Sequence, residues 1–125
     1  MIDKRAIARA LDGLEALHAE IAAITARTDE NRKRELVEKR RALSTQLGTV
    51  AALADGAIMA TGDAELTLAY RSRLSNLRSK MAMHQADWPA VRLGEGGEAF
   101  RASARRMREA NRDFIAWMRA ALDGL

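Results

Sequence analysis

A single proline, Pro89, interrupts the 125 residues of this chain, and the apolar residues on either side of it recur at steps of three and four. That spacing puts them on one face of a helix, whereas a strand would need alternation. The clearest case is Phe100, Met107, Phe114 and Ala121, seven apart, with Ala104, Asn111, Trp117 and Met118 filling the steps between them. It predicts a buried stripe on a helix from about Glu98 to Leu122. Asn111 is a polar residue within that stripe, the kind that fixes helix register or partner number.

Three more segments carry the same signature. Ile7, Leu11, Leu14, Leu17, Ile21 and Ile24 predict a first helix from about Asp3 to Thr28. Leu36, Arg40, Leu43, Leu47, Val50, Ala54 and Ala57 repeat the 4-3-4-3 spacing of a coiled-coil-like seam between Glu30 and Ala60. Leu66, Tyr70, Leu74, Leu77, Met81 and His84 form a third stripe, which ends before Trp88 because the residue preceding proline is pushed out of helical geometry.

Local chemistry marks the joints. Gly62 can end the second helix and Asp63 can cap the third. Thr28 or Asp29 can cap the second, with Glu30 as a first-turn charge, although no Gly or Pro enforces a break and one long continuous helix is the alternative. A Pro/Gly-rich connection at 89–97 precedes the last helix. Four amphipathic segments with mostly short connections predict one all-α domain over 1–125, an antiparallel helical bundle of about four helices, with an elongated form as its variant. Gly48, Ala52, Gly56 and Ala60, spaced by four, form a smooth strip expected to pack closely against a neighbouring helix.

Composition narrows the function classes. There is no Cys, which excludes disulfides, thiolate metal sites and a cysteine nucleophile; two His residues make a zinc site built from this chain alone an unlikely outcome of its chemistry. No cofactor is expected. The first residues lack the apolar run of a secretory signal, so a cytoplasmic location is expected. The least charged stretch, 42–62, carries only Asp55 but is broken by Ser44, Thr45, Gln46, Gly48, Thr49 and Gly56, so it reads as a helix-packing surface and not a membrane span. Net charge is +4, and 17 of the 21 basic residues are Arg.

Catalytic constellations are not evident. His84 invites comparison with phosphotransfer domains, yet Gln85, Ala86, Asp87 and Trp88 follow it where a Lys and a small residue would serve, and Asp87 would repel a phosphate. His18 and Glu20 point to different helix faces, and a half-exposed structural role is expected for His18. Glu35 and Glu38 lie among Arg34, Lys39, Arg40 and Arg41 and read as a solvated ion-pair network. Gly94, Gly96 and Gly97 follow no strand, so they do not read as a phosphate-cradling loop. Basic clusters at 32–34 with 39–41, at 71–80, and at Arg101, Arg105, Arg106, Arg108 and Arg112 leave a nucleic-acid-binding regulatory module as the alternative function, although stacking aromatics and a recognition helix are missing.

Glu20, Ile24, Asp29, Lys39, Leu43 and Leu47, with Leu77-Arg78-Ser79-Lys80 and His84-Gln85, resemble the flagellar export chaperones of the FlgN type over roughly half the chain. His84 stands where that family usually has Asn, and Pro89 with the following glycines interrupts its long client-binding helix. The resemblance implies a non-catalytic cytoplasmic chaperone or adaptor that holds a helical segment of a secreted client. Client contacts would then fall on Leu77, Met81, Phe100, Met107, Asn111, Phe114 and Met118. A homo-oligomer formed through the long helices is the other protein-binding form of the same expectation.

Overall fold

The computed structural model describes residues 3–93, 95 and 97–125. Four helices account for nearly all of them: α1 (Lys4–Thr25), α2 (Arg32–Met59), α3 (Ala64–Asp87) and α4 (Gly97–Asp123), with one 3₁₀ turn at Ala90–Arg92. No strand occurs among the described residues. The 28-residue α2 is about 42 Å long at ~1.5 Å per residue. No helix of the described chain is long and apolar enough to cross a membrane.

The helix ends follow from their side chains. Asp3 accepts a hydrogen bond from the Ala6 amide at 3.0 Å to start α1, and Asp63 accepts from the Leu66 amide at 3.0 Å to start α3, as its sequence position predicts. Gly62, at φ 68°, supplies the left-handed turn between α2 and α3. Trp88 leaves helical geometry ahead of Pro89. Gly94 and Gly96 of the expected connection lie outside the described residues.

The break between α1 and α2 is real, but its cap differs from the expected one. Asn31 occupies the N-cap position without a side-chain cap bond. Asp29 is diverted: Arg27 donates to both its carboxylate oxygens at 2.6 Å and to Glu35 on the first turn of α2. The guanidinium holds Asp29 down to a pKa of about 2 and lowers that of Glu35. An ion-pair staple thus performs the reversal that a glycine or proline usually makes.

The helices form a bundle in which α1 packs most extensively on α2, α4 packs on both α1 and α3, and α2 and α3 touch less than any of these pairs despite their tight connection. Most stripe residues turn inward as their spacing predicts, Ile7, Leu11, Leu14, Leu43, Leu47, Val50, Leu74, Leu77, Met107, Phe114 and Met118 among them. Each buried Leu, Ile or Phe contributes about 1.5–3 kcal/mol by leaving water. A smaller cluster, Ile24, Leu36, Trp88, Leu93 and Phe100, closes the end of the bundle where α1 turns into α2 and α3 connects to α4. The Tyr70 hydroxyl donates to the Asp55 carboxylate and ties α3 to α2 across their thin contact. Burial and that carboxylate both raise the pKa of Tyr70.

Candidate functional site

All seven residues expected to meet a client belong to the interior. Leu77, Met81, Phe100, Met107, Asn111, Phe114 and Met118 are each at most 8% exposed. The reason is the position of α4: lying between α1 and α3, it turns its stripe onto the chain's own helices. The client surface expected on α3 and α4 is therefore the core of the folded chain.

The strip expected to be packed is the one left open. Gly48, Ala52, Gly56 and Ala60 are exposed, and a Cβ added at Gly48 or Gly56 would meet nothing within 4 Å. The seam of α2, with Leu43, Leu47, Val50, Ala54 and Ala57, faces inward, and the strip lies on the opposite side. Thr45, Thr49, Leu53 and Met59 share that outer face and are also exposed, with Met59 at 58%. The small-residue strip was expected to be covered as well because both faces of this apolar stretch are made of small or aliphatic residues, and only the larger side chains of the seam fill the space between helices.

The result is a face of about four turns without a formal charge, on a chain in which 30% of residues are charged. Asp55, the one charged residue of the stretch, is engaged with Tyr70 on α3. Small residues spaced by four leave a shallow groove along the helix, which allows the ridge of another helix to approach closely.

The histidines differ: His84 lies at the boundary of the stripe its spacing places it in, whereas His18 is more enclosed than expected. His84 on α3 is half-buried, with Nδ1 at 2.7 Å from the Ser103 hydroxyl on α4 and its ring stacked on Phe100 at 6.0 Å between centroids. His18 on α1, expected to be half-exposed, is buried at 7% exposure. It takes an inward position between Leu14 and Ile21 that the stripe of aliphatic residues did not mark. Burial lowers the pKa of each to about 4, in His18 against an opposing pull from the neighbouring Asn111 amide, so both are neutral at pH 7.

The basic residues Arg101, Arg105, Arg106, Arg108 and Arg112 are exposed along α4, and Arg105 pairs with Glu98 at 3.1 Å. Other cations are drawn into the fold. Arg119 joins α4 to α1 through Asp12 and Glu15, and Lys39 joins α2 to Glu20 on α1. Exposed pairs of this kind contribute only about 0–1 kcal/mol each.

In comparisons with protein-family models, curated proteins and solved structures, none matches this chain.

Proposed function

We propose that this chain is a non-catalytic helical protein-binding module, an adaptor or export chaperone, that receives an amphipathic helix of another protein along the outer face of α2. The observation that carries the reading is the uncharged, exposed strip of Gly48, Ala52, Gly56 and Ala60 flanked by Leu53 and Met59. Solvent-facing helix surfaces are ordinarily polar or charged, and charge is kept away from the centre of protein interfaces. A helix ridge seated in this i, i+4 row would bury the exposed Leu53 side chain, with Arg71, whose guanidinium lies 3.9 Å from the Met59 sulfur, at the charged rim of the face.

The absence of cysteine allows a direct test. A single cysteine at Ala52, carrying a photoactivated crosslinker, should capture a helical partner, whereas the same probe at Glu109 on exposed α4 should not. Gly56→Arg should abolish capture without lowering the circular dichroism melt. Capture that persists in a folded Gly56→Arg chain would exclude α2 as the site. Crosslinks joining two copies of the chain would identify self-association in place of a separate client.

A further inference from the structure

A cavity of about 340 Å³ lies between the main core and the small end cluster. Its apolar wall is made by Ile21, Leu36, Leu43, Met81, Phe100 and Met107, drawn from all four helices. The polar part is one-sided in charge. Arg40, Arg101, Arg105 and Arg108 line the cavity, and none of the residues lining it is Asp or Glu.

Three buried polar atoms on this wall lack a protein partner: His18 Nε2, Thr25 Oγ1 and Arg40 Nη2. His18 and Thr25 are more than nine-tenths buried. A buried polar group without a partner ordinarily costs about 1–3 kcal/mol, so three on one wall form an unbalanced arrangement in a core. Arg40 sharpens the imbalance. Its Nη1 donates to the Trp88 carbonyl at 2.6 Å, but no carboxylate pairs with it among the described residues, and burial lowers its pKa. A guanidinium, a hydroxyl and a neutral imidazole can each donate a hydrogen bond.

We infer that this cavity binds a small amphipathic monocarboxylate, its carboxylate received by Arg40 and Thr25 and its hydrocarbon tail by Leu43, Met81 and Met107. Charge selects the anion, since no acid lines the site and, of its four arginines, only Arg105 is paired among the described residues, with Glu98. Volume limits the tail: at roughly 30 Å³ for each water-sized group, the cavity admits about eleven non-hydrogen atoms, close to the ten of octanoate. Pockets of this size with apolar walls and a few convergent donors are characteristic of small-molecule sites. The site is separate from the outer face of α2, and its occupancy does not depend on what that face binds.

The test is isothermal titration calorimetry of the full chain with sodium octanoate, 1-octanol and octyltrimethylammonium. Octanoate should bind one to one, octanol at least tenfold more weakly, and the cation not at all. Arg40→Met should weaken octanoate at least tenfold and leave octanol unchanged. Because Arg40 also holds the Trp88 carbonyl, Thr25→Val serves as the second variant: it keeps the side-chain shape, removes the hydroxyl and should weaken octanoate several-fold. Failure of octanoate to bind at millimolar concentration, equal affinity for octanol, or an octanoate affinity unchanged by Thr25→Val would overturn the assignment.

Discussion

The side-chain amide of Gln46 on α2 donates to the backbone carbonyl of Ala10 on α1 at 2.9 Å, and in doing so lies across Gly13. A Cβ at Gly13 would stand 2.6 Å from Gln46 Nε2. Replacing a mid-helix glycine with alanine ordinarily gains about 1 kcal/mol, but here it displaces a hydrogen bond of about the same net worth. Gly13→Ala should therefore change stability by less than about 0.5 kcal/mol. Made in a Gln46→Ala background, the same change should recover the full gain. A double-mutant cycle by urea denaturation measures the difference; equal effects in both backgrounds would show that the amide does not constrain this position.

Gly48 and Gly56 should behave differently, because open space surrounds both. Gly48→Ala and Gly56→Ala should each stabilise the isolated chain by about 1 kcal/mol. If the outer face of α2 seats a partner helix, the same substitutions should weaken that association through loss of close approach. Stability rising while binding falls would separate the cost of these glycines from their use.

Acidification should weaken the fold before its carboxylates protonate. His18 and His84 have folded pKa values of about 4, against 6.5 in the unfolded chain. Between pH 6.5 and 4 the unfolded chain takes up protons that the folded chain refuses, so stability is full above this window and falls through it. The more deeply buried His18 should account for roughly 2–3 kcal/mol of the loss. His18→Gln should flatten the dependence of the urea midpoint on pH in this range, while a slope identical to that of the unaltered chain would contradict a buried neutral imidazole. Below pH 4 a separate loss should follow as Asp29, held to about 2 by Arg27, becomes protonated.

Phe114 should report on the core alone. It is 3% exposed, and Phe114→Ala should cost about 3–5 kcal/mol. Phe114→Asp, which adds a buried charge, should prevent folding. A folded Phe114→Asp chain would mean that α4 can leave the bundle without collapse of the rest.

Helix number, order and inward faces were legible because spacings of three and four admit few alternatives, as at Leu74, Leu77 and Met81. The α1–α2 reversal was harder to read. Its cause is a pair of contacts to Arg27, one of them from Glu35 eight residues away, and short-range capping rules see only Asp29. The burial of the seven residues expected to meet a partner was hard to read for a related reason: Phe100, Met107 and Phe114 show that a helix has an apolar face, and only the docking of α4 between α1 and α3 shows what covers it. His18 and Thr25 lie on the inward steps of four and three that run from Leu14 through Ile21, but a stripe traced through aliphatic residues does not mark polar ones.

The place of α4 between α1 and α3 also sets the order in which this protein can become a protein. Arg119 must reach Asp12 and Glu15 across more than a hundred residues of chain. Of the four helices, α4 is translated last, so α3, and the part of α1 that α2 does not cover, emerge from the ribosome before the element that packs on them has been made. The core therefore closes only once α4 has been made, and until then the nascent chain depends on whatever shields an incomplete bundle in the cell.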